Sequence, residues 1–80
     1  MNLPIENLMP IDAITAMAHA RANLRHISEA KDSSQLNRLK TGAIGYNQSL
    51  LLSGAINQDQ LSELSSELEA ACQSWIALHP

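Results

Sequence analysis

Leu50-Leu51-Leu52-Ser53-Gly54-Ala55-Ile56-Asn57-Gln58-Asp59-Gln60-Leu61 reads as one helix ending and the next beginning. Gly54 has no Cβ to clash in the left-handed conformation that closes a helix. Asn57 is placed to cap the following helix through its side-chain oxygen, and Gln60, three residues on, completes a capping box. Ile56, just before that cap, and Leu61, four residues after it, are spaced for a hydrophobic staple that fixes the entry angle. The stretch predicts a helical hairpin.

The rest of the chain agrees with a helical reading. It has 80 residues, no Val and no Phe, and Tyr46 and Trp75 as its only aromatics. Strands favour β-branched and aromatic residues, so the composition points to an all-α protein. One core at this size is only marginally stabilising, and self-association is a common remedy, so a homo-oligomer is expected.

Working outward, residues 1–9 read as an N-terminal arm, with Pro4 restricting its neighbours and Leu3, Ile5 and Leu8 available to pack one turn onto the body. A first helix is expected over about 10–30, Pro10 suiting its first turn. Its apolar stripe is Ala13, Met17, Ala20, Leu24 and Ile27, with Ile14 beside it, and its alanines permit close helix approach. Lys31-Asp32-Ser33-Ser34 is a short connection holding a Ser or Asp cap. A second helix over about 35–53 carries Leu36, Leu39, Ala43, Tyr46 and Leu50 on its stripe. Gly42, Gly45 and Ser49 line one flank where a neighbouring helix is expected to approach closely, with a kink at Thr41-Gly42 as the competing reading. A third helix over about 58–78 has Leu61, Leu64, Leu68, Ala71, Cys72, Trp75 and Leu78 as its seam. Short connections between helices of similar length predict a small three-helix bundle in up-down-up order, filling residues 10–80 as one domain.

The formal charge is −3, unevenly spread: all five basic residues precede Thr41, and from Gly54 onward there are four acids and no Lys or Arg. A last helix lying against the first two with complementary charges accounts for this; an acidic face offered to a basic partner is the alternative. Lone Cys72 offers no internal disulfide. The longest leucine run is three residues, far short of a membrane span, and no secretory signal opens the chain, so a cytoplasmic protein without membrane contact is expected.

Chemistry is sparse. His19 and His26 share a helix face but stand seven residues apart, about 10 Å at 1.5 Å per residue. Zinc–nitrogen bonds of roughly 2 Å do not span that gap, so neither a metal nor a cofactor is expected. Cys72 sits on an apolar seam with no base assigned to it, so no catalytic residue is expected and the protein reads as non-enzymatic. The turn has the look of a helix-turn-helix, but the helix after it carries Asp59, Glu63 and Glu67 and no cation, which argues against groove binding. Arg21, Arg25, Arg38 and Lys40 remain as a basic patch, which keeps a small dimeric DNA-associated regulator as the alternative. Ile44 and Leu51 fall off the main stripe of the second helix. With Tyr46, Trp75, Glu63 and Glu67 they are the candidate protein-contact residues, Trp75 being either core or an interface anchor.

The segment Ala43–Ala71 resembles a pattern in small helical accessory proteins of phages and other bacterial mobile elements. It has Gly45-Tyr46, then Leu51-Leu52-Ser53-Gly54-Ala55-Ile56, the Asn57-Gln58-Asp59-Gln60-Leu61 start, and an acidic leucine helix through Glu67-Leu68-Glu69. The Gly-x-Ile turn also resembles that of short oligomerisation domains at bacterial protein C-termini. The resemblance covers about a third of the chain and implies a protein that binds, modulates or inhibits a host or phage protein, or assembles with itself. It assigns no binding residue.

Overall fold

The computed structural model describes residues 12–79. Helix α1 spans Ala13–Arg25 and tightens into one 3₁₀ turn at His26–Glu29; α2 spans Ser33–Leu52 and α3 spans Gln58–Leu78. The protein is a small all-α three-helix bundle, with no strand among the described residues.

Each helix begins where a side chain takes an orphan backbone donor. The Asp12 carboxylate accepts the Thr15 N–H at 2.8 Å, so α1 opens at Ala13 rather than earlier. The expected Pro10 start and the arm residues Leu3, Ile5 and Leu8 lie outside the described residues. The end of α1 narrows because the Ser28 hydroxyl donates back to the Arg25 carbonyl at 2.8 Å, and Ala30 is already extended. Asp32 caps α2 by accepting the Gln35 N–H at 2.8 Å, which starts that helix at Ser33, two residues before the expected position. α2 then runs as one helix through Gly42 and Gly45, as the uninterrupted reading expects and against the competing reading of a break at Thr41-Gly42.

The α2–α3 turn is built as its residues predict. Gly54 has φ +82°, and its N–H donates to Leu51 O while the Ala55 N–H donates to Leu50 O, the paired bonds of a Schellman closure. Ala55 and Leu50 also share one apolar cluster, the contact that accompanies this motif. Asn57 Oδ1 accepts the Gln60 N–H and Gln60 Oε1 accepts the Asn57 N–H, both at 2.8 Å. Ile56 and Leu61 are buried in the same cluster, closing the staple.

Two clusters order the three helices. Near the turn, Ala16, Met17 and Ala20 of α1 meet Leu50 of α2 and Leu61 and Leu64 of α3, with Ala55 and Ile56. At the other end, Ile27 and Ala30 meet Leu36 and Ala43 of α2 and Leu68, Cys72 and Trp75 of α3. Rising numbers in α1 therefore match rising numbers in α3 and falling numbers in α2, which is the up-down-up order. Asn47, only 3% exposed, lies along α2 between Ala43 of one cluster and Leu50 of the other.

Three packing expectations fail. Ile14 is 84% exposed, because α1 buries Ala16 and Ala20 instead and turns Ile14 outward. Leu78 is 77% exposed. It lies about one turn beyond Trp75, whose indole already reaches the last buried residue of the α1 strand of chain, Ala30. The flank of Gly42, Gly45 and Ser49 is not packed against a neighbouring helix among the described residues. All three are exposed, and a Cβ built on either glycine has no described atom of another element within 4 Å. Gly42 borders a groove beside Asn23 and His26 of the α1 segment.

Candidate contact surface

The outer face of α2 is an open surface among the described residues. Thr41, Gly42, Gly45, Gln48, Ser49 and Leu52 recur at three- and four-residue spacing and are all exposed, with Ile44 beside them. Ile44 is 44% and Leu52 82% exposed. The face is smooth and neutral between Arg38 at one end and Leu52 at the other. The Ser49 hydroxyl donates to the Tyr46 carbonyl at 2.6 Å, which lays it against the helix surface and flattens the face further.

The six candidate contact residues separate by environment. Ile44 stands on this open face. Leu51 and Tyr46 are half-buried against the cluster near the turn. Trp75 belongs to the core at 6% exposure, its indole N–H donating to Ala30 O at 2.8 Å and its ring stacked on His79 with centroids 4.1 Å apart. Glu63, exposed, and Glu67, half-buried, are paired with Arg21 across the α1–α3 boundary. Arg21 Nε and Nη2 donate to the two Glu67 carboxylate oxygens at 2.9 and 2.8 Å, and Nη2 also donates to Glu63 Oε2 at 2.9 Å.

That fork explains much of the charge asymmetry. The Arg21 hydrogen bonds hold the Glu67 carboxyl below its ordinary range against the opposing effect of burial, and the same bonds to Glu67 raise Arg21. Lys40 Nζ lies 3.6 Å from Glu69 Oε1, so a second α3 acid faces a cation of α2. Asp59 sits in the first turn of α3, where the helix dipole favours it. The basic patch is thereby divided: Arg21 and Lys40 face α3 carboxylates. Arg25 and Arg38 are exposed, with no carboxylate within 4 Å among the described residues.

The remaining reactive groups stand apart from one another. Cys72 is buried, and burial raises its thiol, which keeps it protonated. His19 and His26 are exposed, His26 Nδ1 lying 3.1 Å from Glu29 Oε1. Among the described residues no group of three His, Cys, Asp or Glu side chains is near enough to hold a metal ion. No described helix is long and apolar enough to cross a membrane.

Shallow grooves flank α1. On its α2 side, spaces of about 340 and 200 Å³ share His26, Arg38 and Leu39 as lining. On its α3 side, a cleft of about 260 Å³ is lined mainly by Leu24, Ala71, Trp75 and Leu78.

Comparison with protein-family models, curated proteins and solved structures finds no match. The site is therefore argued from its own residues. The sequence marks Gly42 and Gly45 as a close-approach flank but does not single out Leu52, which follows Gly45 by seven and Ile44 by eight and so lies on the same side of the helix as both.

Proposed function

We propose that this protein acts by protein–protein contact, through the outer face of α2, as a non-enzymatic module that modulates or inhibits another protein. The observation carrying this reading is the pair of mid-helix glycines on an open face, flanked by Ile44 and Leu52. Glycine inside a helix costs roughly 0.5–1 kcal/mol relative to alanine. Among the described residues no atom of another element within 4 Å of either glycine calls for its lack of a side chain, so the packing of the described helices draws no benefit from it. A helix seated on this face does, because small residues let two backbones approach closely.

The occupant is either a target protein or a second copy. The resemblance to small accessory proteins of phages and mobile elements favours a bacterial cytoplasmic target, and a two-fold dimer through the same face is compatible with it. The test is affinity capture from a bacterial lysate with the wild-type chain and with Ile44→Asn/Leu52→Asn, each checked by circular dichroism. The reading requires a captured protein, or self-association in light scattering, that the wild type shows and the equally folded variant loses. Identical capture and identical mass for both would overturn it.

A regulator that binds DNA has, among the described residues, Arg25, Lys31 and Arg38 as cations outside the ion pairs. A steep fall of affinity with salt is the signature that reading requires.

A further inference from the structure

We propose that the cleft between α1 and α3, at the end of the bundle away from the Gly54 turn, binds a small free amphiphilic monocarboxylate. Among the described residues its apolar walls are Leu24, Ala71, Trp75 and Leu78, and its polar side chains are Arg25, Ser28, Ser74 and His79, none of which carries a carboxylate side chain. The cleft does not involve the α2 face, so this inference is independent of the contact function proposed above.

The walls are set before any ligand arrives. The Trp75 indole N–H donates to Ala30 O at 2.8 Å, and the His79 ring lies parallel to it, 6° between planes. His79 Nδ1 is also 2.8 Å from Trp75 O, so its ring is held at both ends of that stack. A preformed apolar wall spares a ligand the cost of ordering it. Leu78, 77% exposed at the rim, gains burial when the cleft is filled.

Charge selects the head group. Arg25 differs from Arg21 and Lys40, which both face carboxylates of α3. It stands in the last turn of α1 beside an apolar cleft whose described lining residues supply no anionic side chain. A guanidinium in that position matches a carboxylate. Of the two spaces on the other side of α1, the larger has Glu29 beside Arg38, and the smaller, about 200 Å³, has Leu39 and Ala43 as its only apolar side chains and no tryptophan or tyrosine ring. Volume sets the body. About 260 Å³ holds roughly nine groups at about 30 Å³ each, the length of an eight-carbon chain with its head at the rim.

The probe is octanoate, with 1-octanol and octylammonium as controls, and the readouts are emission from the sole tryptophan, Trp75, and amide shifts in ¹H–¹⁵N spectra. Octanoate is expected to give a saturable change with a dissociation constant of about 1 mM, what about ten non-hydrogen atoms supply at ordinary ligand efficiency. Octylammonium is expected to bind at least about fivefold more weakly, and shifts are to cluster at Leu24, Ser28, Ala71 and Ser74. Arg25→Gln, a surface change, should weaken octanoate about three- to tenfold and leave 1-octanol unchanged. The proposal is overturned by an absence of saturation up to about 10 mM. It is equally overturned by equal binding of all three probes, by an Arg25→Gln variant that binds octanoate as the wild type does, or by shifts centred on the outer face of α2.

Discussion

Replacing both exposed glycines of α2 with alanine should stabilise the isolated chain while weakening whatever packs on that helix. Gly42 and Gly45 lie inside a 20-residue helix, and an added Cβ meets no atom within 4 Å at either position. Each Gly→Ala change should contribute roughly 0.5–1 kcal/mol through backbone entropy, about 1–2 kcal/mol for the double variant. With an unfolding entropy of about 2.1 cal/mol/K per residue, 80 residues give about 0.17 kcal/mol/K, so the melting temperature should rise by about 6–12 °C. The assay is thermal and urea unfolding followed by circular dichroism at a dilution where sedimentation shows a monomer. A parallel run at high concentration reads association, expected to weaken because two methyl groups hold an approaching backbone away. A double variant that melts at or below the wild type as a monomer refutes the reasoning, since the glycines would then serve the fold itself. A stabilised variant with unchanged association refutes the contact face alone.

Other substitutions probe the parts that set the fold. Gly54→Ala forces a Cβ into the left-handed region and should cost about 1–2 kcal/mol, lowering the melting temperature by about 6–12 °C; Gly54→Asn should recover part of this, and an unchanged melt would remove the turn from its organising role. Trp75→Phe keeps most of the apolar wall but leaves Ala30 O without its indole donor. A loss of about 1–3 kcal/mol in urea unfolding is expected, and no loss would mean water replaces the bond freely. The Glu67 carboxyl is held low by Arg21, so the unfolded chain takes up its proton first on acidification. Its contribution is present above the ordinary Glu value of about 4.3 and is lost as pH falls through the lower folded value. Glu67→Gln should therefore flatten the stability-versus-pH curve below about pH 5, and an unchanged slope would assign the acid sensitivity elsewhere.

Local signals carried the fold further than they carried the surface. The Gly54 closure, the Asn57–Gln60 box and the staple of Ile56 and Leu61 are each decided within a few residues, so their positions are legible before packing is known. Ile14 shows what is not legible. An apolar residue one step off a helical stripe is buried or exposed according to which side the neighbouring helix docks, and here the docking favours Ala16. Asn47 is the converse case. It sits one step from Tyr46 on the α2 stripe, yet the inward arc takes in the amide and leaves the aromatic half-buried. Among the described residues no buried side-chain nitrogen or oxygen lacks a partner, so the bundle accommodates that amide without an orphaned group. A polar residue between two apolar clusters disfavours sliding of α2, since a shift of one turn would set it against leucines.

The destination of the α3 acids bears directly on how any partner is recognised. Glu63, Glu67 and Glu69 lie against Arg21 and Lys40, and Asp59 serves the helix start. The acids of the last helix thus stand in large part beside cations of the first two, as the complementary-charge reading of the sequence expects, and less as a face for a basic partner. These pairs are partly exposed, so their individual worth is small, and their effect is chiefly on which helix lies beside which. What remains for contact on α2 is neutral: two glycines, hydroxyl groups laid along the helix, and two aliphatic side chains. Association through such a face should depend little on ionic strength, whereas contact through Arg25 and Arg38 with a polyanion should weaken steeply as salt rises. The salt dependence of any captured complex thus distinguishes the outer face of α2 from the residual cations before a single residue is changed.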